Sequence, residues 1–183
     1  MTYSANRLID LTRNEPDWTL AFSAGPASPE EDLEPYVGRC LILDLSASTN
    51  RSILKDELEN AFVGLTPHYE ARLRGLSLGE TLPPRLLFKT AGYSGSWRYL
   101  SESALEFLVS KGIRLIGLDS STVSDPQATV GVMEQKVLQC GISVLINLNM
   151  NDLGAAAQGI LMAAPLVIGQ GPGRPVRAVL LSQ

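Results

Sequence analysis

The chain has 183 residues, 45% of them hydrophobic and 19% charged, and carries a net charge of −4 at pH 7. That balance belongs to a folded globular chain and not to a disordered tail, and the length suits one hydrophobic core, so a single domain over residues 1–183 is expected. Basic residues are scattered apart from the loose pair Arg72 and Arg74, which leaves no footprint for a phosphate backbone and argues against nucleic acid as a partner.

The opening Met1-Thr2-Tyr3-Ser4-Ala5-Asn6 lacks the apolar region of a signal peptide, and the apolar run Arg7 to Leu11 reads as a first strand. Ser28-Pro29-Glu30-Glu31 reads as a capping box with proline at the first helical position, starting a short turn ahead of Tyr36. A strand over Arg39 to Leu45 and a helix from about Ile53 to Phe62 follow, then an irregular excursion over about 64–84. Beyond it come a strand over Arg85 to Lys89 and a helix with legible ends. Ser101 is its N-cap, Glu102 lies in its first turn, Leu100 and Leu105 form a hydrophobic staple, and Gly112 supplies a left-handed exit.

A strand over Ile113 to Leu118, a helix from about Ala128 to Cys140 stopped by Gly141, and strands over Ile142 to Leu148 and Val176 to Leu181 complete the reading. The longest apolar stretch, Ile160 to Ile168, is broken by Pro165 and is too short to span a bilayer, so no membrane partner is expected. Most strands are continuously apolar, which predicts burial on both faces, and their alternation with helices predicts an α/β fold with a mixed central sheet flanked by helices. Cys40 and Cys140 belong to no C-x-x-C pair and read as buried free thiols of a reducing compartment, which places the chain in the cytoplasm.

The segments Arg7-Leu8-Ile9-Asp10-Leu11-Thr12, Tyr36-Val37-Gly38-Arg39-Cys40-Leu41, Leu115-Ile116-Gly117-Leu118-Asp119-Ser120, Gly141-Ile142-Ser143 and Pro175-Val176-Arg177 occur in the order of a known pattern. Through them the chain resembles the cyclase family that includes bacterial kynurenine formamidase and isatin hydrolase. The resemblance implies a swivelling β/β/α fold, a homodimer or homotetramer, and amide opening at a zinc or manganese centre. It also implies a metal held by a His-x-x-x-His-x-Asp motif near the N-terminus, a later histidine, and a glutamate preceding an Asn-Leu pair.

This sequence departs from that ligand set throughout. The segment Asp17 to Pro26 contains no histidine, the later histidine falls at or beside Glu134 and Gln135, and the glutamate falls at Ile146. The single histidine of the chain is His68. A zinc site needs about three or four converging imidazole, thiolate or carboxylate ligands, so the expectation is a relative with no metal ligands and no cofactor.

A retained pocket would lie where Lys89, Thr90 and Tyr93, the loop from Asp119 to Asp125, and Glu134 converge. Asp119 ends a buried strand, where a carboxylate can work in catalysis or can cap its own loop as the resemblance implies. Glu134 can serve as an acid or base with a burial-raised pKa, or can pair with a lysine on the helix surface. His68 is either a surface residue of the excursion or is carried to the pocket by a lid, and Tyr93 is the fourth candidate for proton transfer. Lys89, Thr90, Trp97, Tyr99, Ser120, Ser121 and Asp125 are the candidates for contact with a small organic substrate, with core packing the plainer role for the aromatic ones.

Two readings of function follow. In the first, the chain is a metal-independent enzyme that performs cyclisation, dehydration or lactonisation of a small intermediate by acid/base chemistry. In the second, it is a catalytically inactive binding or regulatory homologue of a metal-dependent amide hydrolase. An open polar pocket would favour the first, and a cleft filled by Phe22, Ile146 and other apolar side chains the second.

Overall fold

A computed structural model describes residues 7–13, 18–22, 33–63, 83–90, 98–129, 131–154, 158–166 and 173–182. Its strands in chain order are β1 (Arg7–Asp10), β2 (Leu20–Phe22), β3 (Val37–Asp44), β4 (Ser52–Ile53), β5 (Arg85–Lys89), β6 (Tyr99–Leu100), β7 (Leu115–Leu118), β8 (Ser143–Ile146), β9 (Gln158–Pro165) and β10 (Arg174–Ser182). Three helices accompany them: α1 (55–63), α2 (Glu102–Ser110) and α3 (Val132–Gln139).

The main sheet is mixed and closes on itself. From β10 the order runs β2, β8, β7, β5, β3, β9 and back to β10, which makes a barrel of seven strands. Strands β3, β5, β7 and β8 pair in parallel, and the remaining pairings are antiparallel. One edge of β10 pairs with β9 from Val176 to Ser182, while its other edge is shared between β2 at Arg174 and Pro175 and β1 at Val179 to Ser182. Closure removes the free edges that an open sheet leaves to water. The fold is therefore the expected mixture of α and β, with the sheet rolled shut.

Alternation along the strands sorts side chains into two apolar clusters. Ile42, Leu87, Leu115, Leu145, Leu161, Ala178 and Leu180 meet inside the barrel. On the other face of the parallel strands Leu41, Leu43, Leu86, Phe88, Ile116, Leu118 and Val144 pack with the helical residues Leu58, Ala104, Leu105, Leu108 and Val137. Strands β5, β7 and β8 are buried almost throughout, as continuous apolar runs require. Each such leucine, fully removed from water, contributes about 2 kcal/mol. Helices α1 and α2 touch through Phe62 and Phe107, whose rings lie 5.7 Å apart at 56°.

Local chemistry explains most element ends. Ser101 Oγ accepts the Ala104 backbone N–H at 3.1 Å, and Gly112 leaves α2 at φ +69°. Helix α3 begins at Val132, later than Ala128, because Asp125 Oδ1 accepts the Gln127 N–H and holds a turn there. Strands β2 and β9 were not expected from the sequence: β2 is only three residues long, and β9 mixes Gly159, Ala163 and Ala164 with its apolar positions and ends on Pro165. Cys40 is buried as expected, but Cys140 is exposed because it follows the last turn of α3. The capping box at Ser28 to Glu31 lies outside the described residues. No helix among the described residues is long and apolar enough to cross a membrane.

Gly117 is a close-packed point of the barrel interior, since a Cβ there would meet Leu87 Cδ2 at 2.6 Å and Leu148 Cδ1 at 2.7 Å. Gly117→Ala should cost about 1–3 kcal/mol through overpacking, read as a lower urea midpoint with an unchanged slope.

Candidate functional site

The carboxyl ends of parallel strands are where α/β sheets commonly bind ligands, and here β5, β7 and β8 bring Lys89 and Thr90, Asp119 and Ser120, and Asn147 to one end of the barrel. Asp119 is 5% exposed. Its Oδ1 accepts the Thr90 hydroxyl at 2.5 Å, and both of its oxygens accept the Thr90 backbone N–H at 3.0 Å. The aspartate thus ties β7 to β5, where a bond within its own loop was expected.

Lys89 turns away from this group, because the β3–β5 register sets it opposite Asp44, and its Nζ donates to Asp44 Oδ2 at 2.9 Å. Hydrogen bonds from Ser46 and the Lys89 ammonium outweigh burial and hold the Asp44 carboxyl below its ordinary range.

Glu134 is half-buried on the first turn of α3 and reaches across to the loop after β7. Oε1 accepts the Val123 N–H at 3.0 Å and the Thr122 hydroxyl, and Oε2 accepts the Ser124 hydroxyl. Ser124 Oγ in turn accepts the Met133 N–H at 3.1 Å, so loop and helix start are stitched from both sides. Burial raises the Glu134 pKa, but the donors from Ser124, Thr122 and Val123 outweigh it and the net direction is downward. The burial-raised proton donor expected from the sequence is therefore corrected to an ionised anchor. Nor does Glu134 pair with a lysine, since Lys136 bonds Glu102 instead.

The other candidates have local roles. Ser120 Oγ donates to the Thr122 carbonyl at 2.8 Å, Ser121 is exposed, and Asp125 caps its turn. Tyr99 is half-buried on β6, and its N–H donates to the Arg51 carbonyl at 3.0 Å. His68, Tyr93 and Trp97 lie outside the described residues. Among the described residues, Asp119 is bonded to Thr90 and Glu134 to the loop after β7, while Lys89 pairs with Asp44.

Two further residues were not singled out from the sequence. Asn147 follows β8 with φ +58°, a left-handed backbone that asparagine tolerates better than most residues. Its Nδ2 donates to the Trp18 carbonyl at 3.0 Å, Thr19 Oγ1 donates to the Asn147 carbonyl at 2.9 Å, and Asn147 Oδ1 is buried without a partner among the described residues. The only signal was an amide in an otherwise apolar run. Arg98, 2% exposed, donates to both Glu57 oxygens and to the carbonyls of Leu45, Asn50 and Ser52. An isolated arginine beside aromatic residues offers no periodic signal for such a role.

A cleft of about 530 Å³ opens on the α1 side, lined by Asp44, Leu45, Ser48, Asn50, Asp56, Glu57 and Asn60 among others. None of the pocket residues expected from the sequence lines it.

Among known proteins, the chain is 30% identical over 171 residues to kynurenine formamidase of Bordetella petrii, covering 90% of this chain and 73% of that one. It is 31% identical over 173 residues to kynurenine formamidase of Polaromonas naphthalenivorans, covering 90% and 67%. The chain belongs to the cyclase family of the kynurenine formamidases. No family model matches it. The cyclase-family fold recurs in a solved potential metal-dependent hydrolase with cyclase activity, with a TM-score of 0.71, 20% identity and coverage of 98% and 99%. It recurs again in isatin hydrolase A from Labrenzia aggregata, with a TM-score of 0.69, 18% identity and coverage of 97% and 94%.

Against the ligand set that the cyclase-family resemblance implies, the donors among the described residues do not fit a metal. Ile146, where the resemblance sets the glutamate, is 6% exposed within the helix-side apolar cluster. Its partner across the β2–β8 register is Leu20, and Leu20 and Phe22 pack against that same cluster. Both oxygens of Glu134, at or beside which the resemblance sets the histidine, are occupied by loop donors. Among the described residues no three histidine, cysteine, aspartate or glutamate side chains converge.

Glu134→Gln removes the charge that three loop donors share and should cost about 1–3 kcal/mol at neutral pH. Because the folded pKa lies below the ordinary 4.5, this stabilisation is complete above that value and fades as pH falls through the folded pKa. The stability gap between wild type and Glu134→Gln should therefore narrow in acid, as followed by urea titration at neutral pH and below pH 4.

Proposed function

We propose that this chain is a cyclase-family member that binds a small organic molecule or regulates an active relative and no longer hydrolyses amides through a metal. One observation carries the reading: Glu134, at or beside which the resemblance sets the family's later histidine, has both carboxylate oxygens occupied by donors from Thr122, Val123 and Ser124. The apolar burial of Ile146, with Leu20 and Phe22 against the same cluster, supports it from the other side of the site. The unpartnered Oδ1 of Asn147, held in a left-handed backbone next to Ile146, supports a ligand and not packing alone, because an orphaned buried acceptor costs about 1–3 kcal/mol unless something satisfies it. We read the barrel and its helix layer as the swivelling β/β/α arrangement, forming one domain in the cytoplasm.

Asp119 favours a second reading, that of a metal-independent cyclase. Among the described residues Thr90 supplies its hydrogen bonds, which leaves acceptor capacity on a buried carboxylate at a strand end. In that reading Asp119 moves a proton, and Tyr93 and His68, which lie outside the described residues, are the further candidates for proton transfer.

The purified chain, supplied with zinc or manganese, should hydrolyse neither isatin nor the formamide of kynurenine above the uncatalysed rate. Hydrolysis that depends on the added ion and is lost in Glu134→Gln would overturn the binding reading. Turnover without added metal that falls at least tenfold in Asp119→Asn would replace it with the second reading.

A further inference from the structure

The cleft on the α1 side lies between the end of β3, the loop that follows it, and the first two turns of α1. At about 530 Å³ it is large enough to hold a small organic molecule. None of Thr90, Asp119, Glu134 and Asn147 lines it, so it stands apart from the groups that carry the proposed function.

Its wall is fixed before any ligand arrives. Arg98, itself buried, donates from Nε to the Asn50 carbonyl at 2.6 Å, and from Nη1 to the Leu45 carbonyl at 3.0 Å and to Glu57 Oε1 at 2.9 Å. Asn50, Leu45 and Glu57 all line the cleft. One guanidinium thus ties the loop to α1, and the ordering that a mobile wall would lose on binding is already complete in the fold. Asp44, on the same lining, is held by Lys89 at 2.9 Å.

The groups left over after this internal pairing define the ligand. Arg98 neutralises Glu57 and Lys89 neutralises Asp44, whereas Asp56 has no ionic partner among the described residues. One negative charge therefore remains, which one ammonium group matches. The carboxylates do not converge on a point as a metal site requires. The side-chain amides of Asn50 and Asn60 also have no partner among the described residues and can pair with a hydroxyl, while Leu45, Leu54 and Ala61 supply the apolar part of the lining. We propose that this cleft binds a small aliphatic amine bearing a hydroxyl group, its ammonium on Asp56 and its hydroxyl on the amides of Asn50 and Asn60.

Titration of 4-amino-1-butanol into the full nitrogen-15-labelled chain, followed through its backbone amide NMR signals, tests this. Signals from residues 44–61 should move along a saturable curve. Asp56→Asn, which keeps the shape and removes the unpaired charge, should weaken binding at least about threefold, the size expected of an ion pair open to water. 1,4-Butanediol, which has the same reach without the charge, should bind more weakly by a similar factor, and Ala47→Trp should abolish binding by filling the cleft. Both variants replace exposed side chains and should keep the wild-type circular dichroism spectrum and melting temperature. Absence of a saturable shift, binding indifferent to Asp56→Asn or to Ala47→Trp, or a diol that binds as tightly as the amine overturns the proposal. The hydrolysis assays report on the strand-end groups, so their outcome and this one are independent.

Discussion

Closure of the sheet through β10 is the constraint on which the rest of the molecule depends. One strand pairs with β9 along one edge and divides its other edge between β2 and β1, and without it the antiparallel and parallel halves would each end in unpaired backbone. Closure also creates the interior in which Leu87, Leu115, Leu145 and Leu180 meet, and it turns the opposite faces of the parallel strands toward the helices. The site then follows from direction. Parallel strands all end at the same level, so Thr90, Asp119 and Asn147 meet there whatever chemistry they carry.

At that level the described polar groups are engaged with one another and with the backbone. Thr90 occupies Asp119, Asp44 occupies Lys89, and the loop after β7 occupies Glu134. Donors outweigh burial at Asp44 and Glu134, and both carboxyls lie below their ordinary range. Glu134 supplies a staple between α3 and the loop that precedes it.

Much of this was legible in the sequence where local chemistry dictates the outcome. Arg85 to Lys89 is a strand at the expected boundaries, and Ser101 and Gly112 bound α2 because capping needs nothing beyond the chain itself. Barrel closure was not legible, since it depends on β2, whose three residues pair only because β8 and β10 are already in place. The same holds for the site. Glu134 and Asp119 were identified as residues, but their roles depend on which donors the fold carries to them, and no spacing along the chain encodes that a hydroxyl from position 124 meets a carboxylate from position 134. Arg98 and Asn147 stayed hidden for the same reason, since each is defined by distant carbonyls.

The two cysteines give the barrel a chemical clock. Burial pushes the Cys40 thiol up to about 12, so at neutral pH almost none of it is the reactive thiolate, whereas Cys140 stands at the surface after α3. Cys40 sits between Gly159 on β9 and the interior, on the strand that completes the ring. An alkylating reagent therefore counts one sulfur on the closed protein and two on the opened one, and the rate at which the second is consumed measures how often β3 and β9 part.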